Sequence, residues 1–303
     1  MADLSVGIGA LRLRSPVVLA SGTWGYDEPL WREDLMTSVG AVCSKAITEL
    51  PRDGNPGTRI WETPCGLLNS IGLQNTGIDD FVDRVIPLLK DRGTPLVANV
   101  SMEDEAGLNR MVERLLPLAS DVSAIELNVS CPNVDHGCMS WGVSPDLTAR
   151  ATAMVRELWS GPLWVKMTPQ APNPGDVARS AQDSGADALV VANTWLGMAV
   201  DVQNRRPVFQ RAVAGLSGPA VFPLALRLVW QVAGAVSIPV IGCGGVSSGE
   251  NLLAMVMVGA TAVEVGTGLF GDLHLPERIL EQVASYMDEE GVTDLADLIG
   301  IAR

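Results

Sequence analysis

Short apolar runs alternate with longer amphipathic stretches along the whole chain. The apolar runs are four to six residues long and nearly continuous, which is typical of strands covered on both faces. They predict strands at residues 17–20, 41–46, 95–100, 124–129, 163–167, 188–193, 239–243 and 262–266. The amphipathic stretches, several of which begin with a capping residue or an early proline, predict helices at residues 79–91, 104–119, 144–159, 173–184, 219–236, 248–258 and 276–290.

This alternation predicts the α/β class. Eight strand-like runs with helices between them predict a single (β/α)8 TIM barrel over residues 1–303, and a doubly wound open sheet is the alternative. Between the second strand and the helix that begins at Asp79 lie more than thirty residues rich in Gly, Pro and Asn. Loops that leave the carboxyl ends of barrel strands build the active site, so this interval predicts a long active-site loop after strand 2.

Composition and charge narrow the function classes. Hydrophobic residues make up 47% of the chain and charged residues 18%, so the chain can fill a large core. The formal net charge of −14 repels phosphate backbones, and we expect no nucleic-acid partner. Only two histidines, His136 and His274, are present. We therefore expect no His-rich metal site, and proton chemistry that rests on other side chains.

Targeting signals are not evident. The first residues lack a basic segment followed by an apolar one, so no signal peptide is predicted. Two apolar stretches, residues 222–246 and 251–271, are interrupted by prolines, glycines or charged residues and are interpreted as helix–strand pairs rather than membrane spans. The five cysteines are scattered without a CxxC pair, which favours free thiols and a cytoplasmic location with no membrane association.

Polar side chains stand at the ends of five predicted strands. These residues are Lys45, Asn99, Asn128, Lys166 and Asn193. One such residue alone is more often a cap or part of a satisfied network. Five that converge on one barrel mouth predict a binding site, because burying unpaired amides and ammonium groups is unfavourable. Asn amides both donate and accept, which suits a flat heterocycle with imide or carbonyl groups.

The last two predicted strands end in glycine-rich segments, residues 241–246 and 264–268. Glycine lets backbone N–H groups approach a phosphate, and barrel phosphate sites often follow strands seven and eight. Each segment alone is interpreted as an ordinary turn, but the pair predicts a phosphate site. Ser247 stands where a dinucleotide fingerprint needs its third glycine, so a mononucleotide such as FMN is favoured over NAD.

Cys131 is the strongest candidate for a catalytic base. A lone cysteine is usually an inert buried residue. Cys131 instead follows the fourth predicted strand in a loop rich in Ser, Pro and Asn, on the face expected to carry the site. A thiol with a reference pKa of about 8.5 acts as a base once it is deprotonated.

Ten segments of the chain resemble the dihydroorotate dehydrogenases, FMN-dependent barrels of pyrimidine synthesis. They occur in family order: ASGTWG (20–25), SKAIT (44–48), GNPGTRIWET (54–63), GLLNSIGLQN (66–75), ELNVSCPNVDHG (126–137), VKMTP (165–169), VANTWLGM (191–198), GLSGPA (215–220), IGCGGV (241–246) and EVGTGLF (264–270). Cys131 in place of Ser marks class 1, and the NSIGLQN and LSGPA segments resemble class 1B.

The resemblance implies a role for each matching residue. FMN would be lined by Ser21, Lys45, Ala46, Asn99, Asn128, Lys166, Ala192 and Gly218. Its phosphate would be held by Gly244, Gly245, Gly266 and Thr267. The pyrimidine ring and its carboxylate would be bound by Lys45, Asn69, Ser70, Ile71, Gly72, Leu73, Asn128, Asn193 and Thr194. Cys131 would remove the C5 proton of dihydroorotate while hydride passes from C6 to flavin N5, and Lys166 would stabilise negative charge on the reduced ring.

The resemblance also implies partners. Class 1B relatives pair with a subunit that carries FAD and a [2Fe–2S] cluster and reduces NAD⁺, and relatives form a homodimer. Class 1A relatives instead use fumarate without such a partner. Two other functions stay open: a flavin barrel that acts on another dihydropyrimidine such as dihydrouracil, and a non-catalytic barrel that binds a phosphate ligand.

Overall fold

Eight parallel strands form a closed barrel at the centre of the molecule. The computed structural model of the chain describes residues 2–130 and 138–303, without the side chains of residues 138–140. The barrel strands are β1 (Val17–Leu19), β2 (Ala41–Cys43), β3 (Leu96–Ser101), β4 (Ala124–Asn128), β5 (Leu163–Lys166), β6 (Ala188–Val191), β7 (Val240–Cys243) and β8 (Ala262–Val265). Each strand pairs in parallel with its neighbours in chain order, and β8 pairs with β1 to close the ring.

Helices connect the strands and pack around the ring. The longer ones are Glu105–Leu115, Pro145–Leu158, Pro174–Asp183, Phe222–Ala233, Gly249–Met257 and Leu275–Glu290. The shorter helical segments are Glu28–Trp31, Glu33–Met36, Gly77–Asp80, Phe81–Val85, Ile86–Leu89, Leu116–Leu118, Cys138–Val143, Pro219–Val221, Thr267–Phe270 and Leu295–Leu298. Three longer helices begin where the sequence predicts, because the side chains of Asp104, Ser144 and Ser248 each accept a hydrogen bond from a backbone N–H of the first turn.

The prediction of a (β/α)8 barrel is confirmed, and the open-sheet alternative is wrong because the strands close into a ring. The barrel strands are buried almost throughout, as their continuous apolar runs require. The two apolar stretches at residues 222–246 and 251–271 form helix–strand pairs, as predicted. Among the residues described, no helix is both long enough and apolar enough to cross a bilayer. The assignment of residues 1–303 to one domain stays a prediction.

The interval after β2 is not an unstructured loop. It contains the antiparallel strands Ile60–Thr63 and Gly66–Asn69. Gly66–Asn69 pairs with Val213–Ser217, which in turn pairs with Trp195–Met198, both in antiparallel orientation. These last two strands follow β6 in the chain. We call the four-stranded sheet the mouth sheet. The long Gly- and Pro-rich interval is thus built around a hairpin whose partner strands lie far away along the chain. Because that pairing is long-range, the local pattern of the interval predicts a loop and does not reveal the strands within it.

Three smaller features complete the chain. A two-stranded hairpin, Val6–Ile8 and Leu11–Leu13, precedes the barrel. A second pair of short strands, Val200–Asp201 and Arg206–Pro207, extends from the mouth sheet. Leu68, Phe209 and Ala214 form a small apolar core at the mouth sheet, separate from the main core of the barrel. The mouth sheet therefore has packing of its own in addition to its contacts with the barrel.

Gly66 is a position in the mouth sheet where a side chain would collide with the backbone of the neighbouring strand. A Cβ at Gly66 would lie 2.2 Å from the Ser217 carbonyl oxygen. We expect Gly66→Ala to destabilise the mouth sheet by about 1–3 kcal/mol, because the two strands must separate to admit the methyl group. Hydrogen exchange should increase in residues 60–69 and 195–217 and stay unchanged in the barrel strands. Gly7→Ala, where a Cβ would meet nothing within 4 Å, is the control, and equal effects of both changes would contradict the prediction.

Candidate active site

A pocket lies at the carboxyl ends of the barrel strands, beneath the mouth sheet. Most of the residues that the sequence singles out line it: Ser21, Lys45, Ala46, Asn69, Ile71, Gly72, Leu73, Asn128, Lys166, Ala192, Asn193, Thr194, Gly218, Gly244, Gly245, Gly266 and Thr267. These residues come from strand ends that are far apart in sequence. The structure therefore brings them together at the mouth of the barrel, where the topology places active sites.

Asn99 and Ser70 do not line the pocket. The Asn99 side chain is fully buried and donates a hydrogen bond to Glu126 inside the barrel. It also accepts a hydrogen bond from Asn128 at 3.3 Å, so it lies one residue behind the pocket wall. The Ser70 hydroxyl accepts a hydrogen bond from Asn55 at 3.0 Å and supports the turn that carries Ile71. Direct contact of Asn99 with a cofactor and of Ser70 with a substrate thus has no support from this geometry.

Cys131 lies outside the described residues. The described chain reaches Ser130, two residues after β4, and resumes at position 138. Ser130 receives a hydrogen bond from Asn193 at 2.9 Å and donates one to Asn128 at 3.0 Å. Ser130, the described residue before Cys131, therefore lies beside two of the pocket amides. The role of Cys131 as a base stays a prediction.

Backbone at the ends of β7 and β8 forms an open cradle. Gly244 has φ +133° and Gly245 has φ +76°, a region that L side chains rarely adopt. A Cβ at Gly245 would lie 2.7 Å from the Phe222 Cβ and 2.9 Å from the Gly218 carbonyl oxygen. Only glycine permits the chain to approach this closely. These half-buried glycines line the pocket and suit the phosphate of a mononucleotide, as the sequence predicts.

Lys45 lies at the rim of the pocket just after β2. Its backbone N–H donates to the Tyr26 hydroxyl at 3.1 Å. Burial raises the pKa of Tyr26 to about 12, so this phenol is protonated at neutral pH. A Cβ at Gly22 would lie 3.1 Å from the Lys45 Nζ, so the glycine leaves room for the ammonium group. The residues around Lys45 thus fix its backbone and keep its charged end beside the cavity.

Below the pocket lies what we call the buried charge cluster: Cys43, Glu126, Lys166, Cys243 and Glu264, each from a different barrel strand. The Lys166 Nζ lies 2.5 Å from Glu264 Oε2 and 3.5 Å from Glu126 Oε1. The Cys43 thiol donates to Glu126 Oε1 at 3.3 Å. Both glutamates are buried, at 0% and 1% exposure, so these contacts are shielded from water. Of the five, Lys166, Cys243 and Glu264 also line the pocket.

Burial and charge shift the protonation equilibria of the cluster. Burial alone would lower the pKa of Lys166, but the carboxylates of Glu126 and Glu264 raise it well above its usual value. Burial and the nearby charge of Glu126 raise the pKa of Glu264 well above that of a free glutamate. The pKa of Glu126 is lowered, because Lys166 and its hydrogen-bond donors outweigh its burial. Burial also raises the pKa of the Cys43 and Cys243 thiols. These shifts favour the ammonium form of Lys166, the carboxylate form of Glu126, the acid form of Glu264 and the thiol forms of both cysteines.

Sequence reasoning missed both glutamates of the cluster. Their signal is present in the sequence, because each glutamate stands at the centre of an apolar strand, AIELN in β4 and AVEV in β8. A carboxyl group in such a run is either exposed at an edge or buried with partners. Trp195, Ser217 and Phe270 also line the pocket without having been predicted. They belong to the mouth sheet and to the turn after β8, where no local pattern marks them.

Comparison with known proteins gives consistent matches. The family model described as "Dihydroorotate dehydrogenase" matches residues 3–287. A relative from Geobacter metallireducens, named "Dihydroorotate dehydrogenase B (NAD(+)), catalytic subunit", is 43% identical over 301 residues, covering 98% of this chain and 97% of its own. A relative with the same name from Phocaeicola vulgatus is 42% identical over 305 residues and covers 99% of both chains.

A solved structure agrees in fold. The crystal structure described as DHODH in complex with ferulenol from Eimeria tenella superposes with a TM-score of 0.83. It covers 99% of this chain and 88% of its own chain, at 22% sequence identity. At that identity the likeness establishes the shared barrel fold only.

Removing the ammonium group of Lys166 should destabilise the folded protein. We expect Lys166→Met to lower the free energy of unfolding by about 3–5 kcal/mol at neutral pH, because Glu126 loses its counter-ion while buried. The loss should be larger at about pH 8 than at about pH 5. Without Lys166 the pKa of Glu126 rises, and stability held by a raised carboxyl pKa is lost as the pH increases. Urea unfolding at both pH values measures this.

The matched control is Arg32→Met, which breaks the exposed ion pair between Arg32 and Asp34. It should leave the free energy of unfolding unchanged within error. A Lys166→Met variant that is equally destabilised at both pH values would show that Lys166 acts by packing alone.

Proposed function

This chain belongs to the dihydroorotate dehydrogenase family, and on that premise we propose that it oxidises (S)-dihydroorotate to orotate in pyrimidine (UMP) biosynthesis. The members of this family are flavin-dependent oxidoreductases. The observation that carries the proposal is the pocket, in which Lys45, Asn128, Lys166 and Asn193 meet from four strand ends beside the glycine cradle. That set combines amides for a pyrimidine ring with ammonium groups for a carboxylate.

We propose FMN as the cofactor. The cradle of Gly244, Gly245, Gly266 and Thr267 would hold its phosphate through backbone groups. The ring would be lined by Ser21, Lys45, Ala46, Asn128, Lys166, Ala192 and Gly218, which all face the same cavity. When bound, FMN supplies the hydride acceptor that no side chain can provide. The close backbone approach at Gly245, where a Cβ would not fit, supports this assignment.

Lys45, the Asn69–Leu73 turn and the strand-end amides would bind the substrate. Asn128 and Asn193 are held by hydrogen bonds through Ser130, so their amide groups are oriented before a substrate arrives. Oriented amides recognise the imide groups of a pyrimidine ring without paying for their own ordering. Lys45 would supply the positive charge for the carboxylate, and Asn69 of the mouth sheet lines the same pocket.

Cys131 and Lys166 would perform the two catalytic roles. We propose that the Cys131 thiolate removes the proton at C5 of dihydroorotate as hydride leaves C6. Lys166 would stabilise the negative charge that develops on the pyrimidine edge of the cofactor. Its placement above two glutamates supports this role, because they keep the ammonium group protonated.

We also propose an electron-transfer partner subunit that carries FAD and a [2Fe–2S] cluster and passes electrons to NAD⁺. The relatives named as NAD(+)-dependent catalytic subunits support a partner for this chain. A homodimer of catalytic subunits and a cytoplasmic location complete the proposal. The exposed apolar side chains Ile60, Trp61 and Met198 on the mouth sheet are consistent with a further protein contact.

The proposed reaction predicts loss of the visible flavin absorbance when dihydroorotate is added without oxygen. Titration of the purified protein under anaerobic conditions measures this. Dihydrouracil, which lacks the carboxylate, is the matched control and should leave the absorbance unchanged, because Lys45 then has no charge to bind. Bleaching by dihydrouracil alone would favour an enzyme of another dihydropyrimidine. A colourless preparation that takes up no flavin would contradict the proposal.

Replacing the proposed base should separate catalysis from cofactor binding. We expect Cys131→Ala to lower the rate of flavin reduction by about 10²–10⁴-fold while flavin stays bound, because proton removal loses its base. The wild-type rate should rise with pH until the thiol ionises. Cys65→Ala is the control, because Cys65 is exposed and does not line the pocket. A wild-type rate that is flat through the alkaline range would contradict a cysteine base.

A further inference from the structure

The two glutamates of the buried charge cluster leave one oxygen each without a donor. Glu126 Oε2 and Glu264 Oε1 are buried and have no hydrogen-bond partner when both groups are written as carboxylates. Ligand atoms of Cys43, Glu126 and Glu264 lie within 4.8 Å of one another, so the two carboxyl groups adjoin. Two neighbouring buried carboxylates, each with an unpaired oxygen, are strongly unfavourable. A proton shared by the two groups pairs the free oxygens and removes the repulsion between the two carboxylates.

Charge counting leads to the same conclusion. With both glutamates ionised, the cluster has one positive and two negative charges, a net charge of −1 in the barrel interior. One added proton makes it neutral. The ammonium group of Lys166 lies against one oxygen of each carboxyl group, so a cation is already present and the missing charge is a proton rather than a metal ion.

The donors assign the proton to one side of the pair. Glu126 Oε1 accepts from Asn99 and Cys43 and lies near Lys166, a set that stabilises a carboxylate. Glu264 Oε2 accepts the short hydrogen bond from Lys166. The remaining oxygen, Glu264 Oε1, is buried without a partner and is therefore the site for the proton. We propose that Glu126 and Glu264 hold one shared proton, that this acid–carboxylate pair is a positioning device, and that it fixes Lys166 as a cation beneath the pocket.

The benefit that the shared proton brings to the pocket rests on the proposed function. A neutral cluster places no net negative charge below a pocket that would bind an anionic substrate and a cofactor that becomes more negative on reduction. Glu126 and Glu264 act through Lys166 and are positioning residues. The same pair explains why an acidic chain can present a cationic pocket, because the second carboxyl group adds no charge.

Glutamine substitutions provide isosteric tests. In Glu264→Gln the amide N–H donates to Glu126 and the amide oxygen accepts from Lys166. In Glu126→Gln the amide oxygen keeps the donors of Oε1, and the amide N–H donates to an ionised Glu264. Either single variant therefore keeps every hydrogen bond and the neutral charge. The double variant places two N–H groups against each other and gives the cluster a charge of +1.

Infrared spectroscopy observes the shared proton directly. The wild-type protein, with or without flavin, should show the C=O stretching band of a buried carboxylic acid at neutral pH. The band should be absent from both single variants. Its absence from the wild type, or its persistence in both single variants, would overturn the proposal. Unfolding in urea should show the double variant to be less stable than the sum of the single changes predicts, and additive changes would also overturn it.

The pH dependence of stability supplies a second measurement. A carboxyl pKa that is raised in the folded state gives stability that is complete at low pH and is lost as the pH rises. Between about pH 5 and 8 the unfolding equilibrium constant of the wild type should therefore increase relative to that of Glu264→Gln, by at most about tenfold per pH unit. Lys166 and the two thiols face the pair and keep their protons in this range. Parallel profiles of the two proteins would overturn the shared proton.

These readouts need neither substrate nor turnover. A preparation that leaves dihydroorotate unoxidised contradicts the proposed function, yet the carboxylic acid band still reports on the pair. An active preparation without that band contradicts the pair and leaves the proposed function intact.

Discussion

The pairing of β8 with β1 is the contact on which the rest of the molecule depends, because it closes the sheet into a ring. Closure leaves no sheet edge and forces alternate side chains of every strand into a common interior. Since all eight strands run the same way, it also places their carboxyl ends around one opening. A lysine on β5 and glutamates on β4 and β8 meet only because the ring brings these strands around a shared axis.

The sequence predicts the barrel well because strands buried on both faces have an unmistakable local pattern. The strand ends that carry Lys45, Asn128, Lys166 and Asn193 follow from that pattern, so most of the pocket lining could be named in advance. Asn99 is the instructive exception. It lies within β3 rather than at its end, and its side chain turns into the barrel. Local sequence does not distinguish the last residue of a strand from one two places earlier.

Other features depend on contacts between distant parts of the chain. The mouth sheet pairs residues 66–69 with residues 213–217. The local sequence of each segment indicates a turn and does not indicate its partner. The buried charge cluster is assembled from five strands, so neither the ion pair nor the orphan oxygens can be recognised from one segment. In the sequence, Glu264 is a single carboxyl group within an apolar strand, and nothing nearby explains its burial. The structure explains it, because Glu126 and Lys166 lie beside it.

The long sequence separation within the mouth sheet also bears on how the molecule folds. Gly66–Asn69 and Val213–Ser217 are separated by four barrel strands, and loop-closure entropy opposes their pairing until those strands are in place. We therefore expect the pocket to be among the last parts of the chain to assemble. A ligand that contacts both the barrel strand ends and the mouth sheet would bind only molecules whose barrel is already complete. Its binding would then stabilise the native state relative to partly folded states.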